Sequence, residues 1–387
     1  MERFLSVLVE ALEKKTVSNI ILVHSHNKST FKSTISLITK QFFGQLEDIV
    51  VRVSAGALLI RAQTALTLAF SPVSLSFPSL LKKIYKGMKP DLVHIHMPNT
   101  SAFWLLMLPC YRKIRWIIHW HSDVVASKYS WKLRLLYPIY RVFEKKILAR
   151  ANIIIVTSPA YLDTSTTLES WRYKCRVIPL GIKLKDLRHN YRHHSTEVND
   201  VWSRNNLRIL AIGRLTYYKG LKYLIGAIKT FPNAHLVVVG DGEQRMELDN
   251  LVVENALSKR VIFVGEISEL QKHEFLSSCD CLCLSSIERT EAFGLVLLES
   301  MLHGKPTIVC DIPGSGVPWI VSHGQTGLVV APESSVELGK AMQYFYSDNQ
   351  ELVRMGKNAR RKVVSNFNIS RVAEQIMTVY NDVLSKK

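Results

Sequence analysis

No stretch of 18 consecutive apolar residues occurs in this 387-residue chain, so no membrane-spanning helix is expected. The nearest approach, residues 101–110, is too short to cross a bilayer. Cysteine is sparse at six residues, and no Cys-x-x-Cys pair is present, which argues against a metal clip. Three cysteines alternate as Cys279, Cys281 and Cys283, the spacing of a buried strand, and a reducing, cytosolic setting is favoured. Acidic residues are scarce in the first half: residues 1–200 carry 13 Asp and Glu against 29 Lys and Arg, and the rest carries 19 against 21. A basic balance suits nucleic acid or an anionic membrane. No zinc-finger, RRM-like or homeodomain-like signature is present, so nucleic acid is not expected as a partner. Clusters at Lys82, Lys83 and Lys86, at Arg112, Lys113 and Arg115, and at Arg141, Lys145 and Lys146 suit an anionic leaflet, at about 1 kcal/mol per cation. A simply solvated basic face is the alternative.

What is present reads as an α/β enzyme of two domains, since 387 residues exceed what one core usually holds. Apolar runs at 19–24, 91–96, 115–121 and 151–157 end in polar residues and read as strands separated by helical stretches. The second half repeats the pattern near Leu207, His235, Val261, Cys281 and Thr307. The expected organisation is two doubly wound Rossmann-like domains, 1–184 and 207–368, with a cleft between them. A polar linker is expected at 185–206, with the run from Arg188 as solvated loop, and a last helix at 369–387.

Glu291 and Glu299 lie eight residues apart around Gly294, which opens an apolar helix. Phe293 and Gly294 allow close backbone approach, and the N–H groups of the first turn, from Leu295 onward, can hold a diphosphate. Glu299 lies where a carboxylate can accept two ribose hydroxyls. Spacing alone leaves open an ordinary acidic helix N-terminus. Upstream, the run 207–220 reads as strand, loop and helix start, with Arg214 and Lys219 bracketing the loop. Each charge-assisted contact from such cations to phosphate contributes roughly 1.5–3 kcal/mol. Three His-x-His pairs end strands, His24/His26, His94/His96 and His119/His121. A catalytic metal would need carboxylate or cysteine partners and outer-shell support, so no metal is expected.

Together these elements resemble the retaining glycosyltransferases of family 4, of GT-B architecture, over nearly the whole chain. The matching order runs Gly213-Arg214, Lys219-Gly220, Val239-Gly240-Asp241-Gly242, Val264-Gly265, Glu291 to Glu299, His303-Gly304-Lys305-Pro306 and Thr326-Gly327-Leu328. The resemblance implies that Arg214 and Lys219 bind the donor diphosphate, Glu291 the donor sugar and Glu299 the ribose. It also implies that His121 faces the sugar from the first domain and that the last helix crosses back to the first domain; Asp123, beside His121 in sequence, is the candidate acceptor-side base. Neither cofactor nor metal is implied. The implied reaction moves a hexose from a nucleotide-diphospho-sugar to a glycan or lipid-linked acceptor, in polysaccharide or lipopolysaccharide assembly. GDP-mannose is the first candidate donor, from the resemblance around 313–319, and a UDP-sugar the second. A cytoplasmic protein, peripheral on the inner membrane face, is expected. Family members open with a strand and a Gly-Gly turn, whereas this chain opens on residues that resemble the helix after that turn. That departure is read as a misplaced start or a truncation, the latter giving an inactive protein; a sugar-nucleotide epimerase or a phosphorylase is the remoter alternative.

Overall fold

The computed structural model describes residues 2–15, 20–24, 49–54, 57–62, 66–68, 71–124, 131–184, 196–202 and 205–385. Two compact units form: Met1–Val156 with Thr166–Ile178 and Val372–Lys387, and Thr157–Ser165 with Pro179–Arg371.

The first unit holds β1 (Ile20–His24), β2 (Ile49–Ser54), β3 (Ala57–Ala62), β4 (Leu66–Leu68), β5 (Ser71–Val73), β6 (Leu92–Met97), β7 (Arg115–Trp120), β8 (Ile153–Val156) and β9 (Cys175–Val177). Strands β6 to β9 pair in parallel and in chain order, while β1, β3 and β2 form a separate three-stranded sheet. The strands from 49 to 73 were not expected. Arg52 and Arg61 interrupt the apolar runs of a β2–β3 hairpin, and Pro72 sits in β5, so the composition resembles loop more than strand. His26 and the run 188–194 lie outside the described residues.

The segment expected as linker is not all loop where it is described. Thr196–Val201 is helical, and Trp202 is buried, with its Nε1 donating to Ser278 Oγ at 2.9 Å. The helix Ile369–Ser385 buries Val372, Ala373, Ile376, Val379, Tyr380 and Val383. Their spacing is one apolar stripe, the pattern of a helix laid on a core. Among the described residues, no helix is long and apolar enough to cross a membrane.

In the second unit β10 (Leu207–Ile212), β11 (Ala234–Val239), β12 (Val261–Gly265), β13 (Cys281–Leu284), β14 (Thr307–Cys310) and β15 (Gly327–Val330) form one parallel sheet. Its order is β12-β11-β10-β13-β14-β15, the doubly wound arrangement in which direction reverses between β10 and β13. Strands covered on both faces need continuous apolar runs, and Ile209, Leu210, Leu236, Val237, Leu282 and Ile308 are each fully buried. Each such side chain contributes roughly 1.5–3 kcal/mol relative to exposure. The helix Leu221–Thr230 follows β10 and buries Leu221, Leu224, Ile225 and Ile228, an i, i+3, i+4, i+7 stripe facing that sheet. Cys281 and Cys283 are interior residues of β13, and burial pushes both thiols well above their ordinary pKa.

One buried charge gives the first unit a pH dependence. Glu144 is almost wholly buried against Arg141, whose Nη1 donates to it at 3.2 Å and to Thr167 Oγ1 at 2.8 Å. Burial, partly offset by Arg141, pushes its pKa from 4.5 up to about 7. Stability from the protonated form is therefore complete below pH 4.5 and is lost as pH rises through about 7. We expect the stability of the wild type, read as its thermal midpoint, to fall between about pH 5 and pH 8 relative to Glu144→Gln, by an amount on the order of 3 kcal/mol in free energy. Parallel pH profiles for the two proteins would refute this.

Candidate active site

The carboxyl ends of β10 and β13 are where the sheet order reverses, and two loops leave the sheet there. The loop after β10 runs from Gly213 to Gly220, and a second follows β13 from Ser285. They are tied together at three points: Ser285 Oγ donates to Lys219 O at 2.9 Å, Ile287 N–H to Tyr218 O at 2.8 Å, and the Tyr217 hydroxyl to Glu288 Oε2 at 2.7 Å. Gly220 takes φ +62 at the helix start, and a Cβ there would stand 2.2 Å from Ser285 O. Only glycine lets the loops close to this distance.

Across this seam Lys219 Nζ forms a short ion pair with Glu291 Oε2, with side chains only 13% and 11% exposed. The same carboxylate oxygen accepts from Ser286 Oγ at 3.0 Å. Burial alone would lower the lysine pKa, but the Glu291 carboxylate and Tyr218 outweigh it and hold the ammonium above its usual value. The backbone of Glu291 is fixed as well, since its carbonyl accepts from Ser315 Oγ and Gly316 N–H donates to Ala292 O at 2.8 Å. Ser286 was not anticipated from sequence. Its place at the carboxyl end of a central strand is the signal that would have found it.

Gly294 takes φ +78 and starts the helix Leu295–Leu302 without a side-chain cap; Leu297 N–H donates to Gly294 O at 3.0 Å, and the N–H groups of the first turn have no side-chain acceptor at the cap. Phe293 is buried, edge-on to Phe367 with ring centroids 6.1 Å apart. One turn and more along, Glu299 is buried and paired with Lys272 at 3.2 Å; Lys272 also meets Glu269 at 2.9 Å. Beside it, His273 Nδ1 and His303 Nε2 lie 2.9 Å apart, and burial pulls the His303 pKa to about 3. Arg214 does not share the partner of Lys219. Its guanidinium is mostly exposed and faces Glu243 at 3.5 Å.

The remaining expected residues stand in the first unit. The Nε2 of His121 lies 2.9 Å from Nδ1 of His96, and its ring stacks on His119 at 4.5 Å. Burial, with His96 beside it, holds His121 neutral far below the usual range. Asp123 Oδ1 accepts from Trp120 Nε1 at 2.9 Å.

Residues 8–181 match the Glycosyl transferase 4-like domain, and residues 199–362 match Glycosyl transferases group 1. The chain belongs to the group 1 glycosyltransferases. This glycosyltransferase is 31% identical over 312 residues to a D-rhamnosyltransferase of Pseudomonas aeruginosa, spanning 79% of this chain and 77% of that one. It is 28% identical over 323 residues to the O-antigen chain mannosyltransferase C of Escherichia coli, spanning 82% and 83%. Among solved structures, the sucrose-phosphate synthase of Thermosynechococcus elongatus superposes with a TM-score of 0.75 at 23% identity, covering 98% and 92% of the two chains. The Anabaena HepE protein, solved with UDP, gives 0.68 at 18% identity over 95% and 100%. The glycosyltransferase thus has the expected α/β fold of two Rossmann-like domains, the GT-B class.

Proposed function

We propose that this glycosyltransferase moves a hexose from a nucleotide-diphospho-sugar to a glycan or lipid-linked acceptor in cell-surface polysaccharide assembly, with retention and without a metal at the diphosphate. The observation that carries the reading is the buried Lys219–Glu291 pair at the β10–β13 reversal, beside the uncapped helix start at Gly294. Breaking the anomeric C–O bond leaves negative charge on the diphosphate. A diphosphate at this seam takes Lys219 as its partner and frees the Glu291 carboxylate to accept from sugar hydroxyls. The first-turn N–H groups and Arg214 add to the stabilisation of that charge. Glu299, held by Lys272, accepts the ribose hydroxyls. His121 and Asp123 are the contributions proposed for the first unit, to the sugar and to the acceptor.

The mannosyl and D-rhamnosyl names of the two relatives favour GDP-mannose or a close analogue, with UDP-sugars second. In the first unit, Lys86, Lys89 and Lys113 line one open groove of about 520 Å³, which suits docking of a cytoplasmic enzyme on an anionic membrane face. Thermal unfolding with UDP, GDP and their sugars tests the donor site. A ligand at 100 times its Kd adds about 2.7 kcal/mol. The expected result is a base-selective rise in midpoint that is lost in Glu299→Ala. A folded protein whose midpoint no nucleotide moves would overturn the proposal.

A further inference from the structure

His94 and His96 alternate on β6, and His119 lies directly opposite His96 in the parallel register with β7. Alternate residues share a strand face, so the three imidazoles gather on one side of the sheet. Ring centroids are 4.7 Å apart for His94 and His96, 5.5 Å for His94 and His119, and 5.0 Å for His96 and His119. One ring nitrogen from each lies within 4.8 Å of the other two. We propose that His94, His96 and His119 form a binding site for a divalent cation of the zinc class, in the first unit and apart from the residues assigned to the diphosphate.

Hydrogen bonding around the rings supports this. His94 Nδ1 lies 2.7 Å from the Tyr380 hydroxyl, and His96 Nδ1 lies 2.9 Å from His121 Nε2. With the Tyr380 oxygen accepting from Nδ1–H, the lone pair of His94 is placed on Nε2, which is how outer partners fix the tautomer of a metal-bound histidine. Among the described residues, His94 Nε2 and both ring nitrogens of His119 are buried with no hydrogen-bond partner. Buried polar atoms are normally satisfied, and in the neutral rings His94 Nε2 and one nitrogen of His119 carry lone pairs, which a cation would accept, while the other His119 nitrogen carries its proton. Burial also keeps all three rings neutral, the form that ligates a metal.

The ligand set narrows the cation. Three imidazoles and no carboxylate favour Zn²⁺ or Co²⁺ over Mg²⁺ and Ca²⁺, which prefer oxygen. Bonds of about 2.0–2.1 Å need ligand nitrogens about 3.4 Å apart, so the rings must rotate inward from their near-parallel stack. Three protein ligands leave one position of a tetrahedron open. The set holds no carboxylate or cysteine, the partners expected from sequence for a catalytic metal; what the structure adds is His119 as third ligand and Tyr380 and His121 as outer support.

The test is titration of the tag-free, chelator-stripped full chain with Co²⁺, followed by visible absorption, with circular dichroism to confirm folding. One Co²⁺ per chain is expected, displaced by Zn²⁺ and not by Mg²⁺, and absent in His94→Gln and in His119→Gln. Tyr380→Phe should bind about tenfold or more weakly. His303→Asn, at the separate His273–His303 pair, should bind as the wild type does. Should His119→Gln not fold, His94→Gln decides alone, together with a Zn²⁺-induced rise in midpoint seen only in the wild type. No Co²⁺ band in the wild type, an unchanged band in His94→Gln, or a band lost in His303→Asn would overturn the proposal.

Discussion

Lys219→Ala should lower sugar transfer by about 10²–10³-fold, the usual effect of removing one preorganised donor from developing negative charge. Glu291→Gln should do the same by a different route, because its amide keeps the size of the side chain but loses the charge that meets Lys219. The two proteins should stay folded. Lys219→Ala leaves a mostly buried carboxylate, which keeps the Ser286 hydrogen bond. Glu291→Gln leaves the ammonium over the Tyr218 ring, with 5.6 Å between Nζ and the centroid. Because breaking a buried pair can cost about 3–5 kcal/mol, transfer must be measured below the thermal midpoint of each variant. Turnover like that of the wild type in either variant would remove the assignment of this pair.

The second large effect concerns the backbone under that pair. Gly220→Ala places a methyl group 2.2 Å from Ser285 O and 2.8 Å from Ile287 Cγ2, at a φ of +62. The strain in φ alone costs roughly 1–3 kcal/mol, and parting the two loops adds a similar amount. A loss of about 3 kcal/mol or more is expected, seen as a midpoint lower by roughly 6–12 °C, and nucleotide binding should fail with it. Gly324 is the control. It has φ +70, but nothing lies within 4 Å of its absent Cβ, so Gly324→Ala should cost only about 1 kcal/mol. Equal losses in the two variants would show that φ, and not the contact between loops, sets the cost.

Much of the second unit was legible because its strands are covered on both faces. Runs such as Leu207–Ile212 and Ala234–Val239 have no polar alternation to confuse with a helix. The short strand Gly327–Val330 escaped, since it begins on a glycine and runs for four residues. In the first unit the hairpin of β2 and β3 was hidden by Arg52 and Arg61, which a run of hydrophobic residues does not predict. The site was legible as spacing and not as pairing. That Lys219 and Glu291 would meet across 72 residues depends on β13 inserting beside β10, which no local pattern reveals. The same holds for Glu243 as the partner of Arg214 and for Lys272 as the partner of Glu299, each on a helix or loop from a different strand.

The division of the chain also orders its assembly. The backbone passes between units after Val156, Ser165, Ile178 and Arg371, so the first unit takes its last helix from the carboxyl end of the chain. Tyr380, which meets His94, leaves the ribosome after every residue of the second unit has been made. Domains usually mature from the N-terminus during synthesis. Here the unit that begins first finishes last, and its basic, unfinished surface waits for Val372–Lys387 before its core closes. A nascent chain that has emerged as far as Arg371 and no further would therefore carry every residue of the second unit and an open first one.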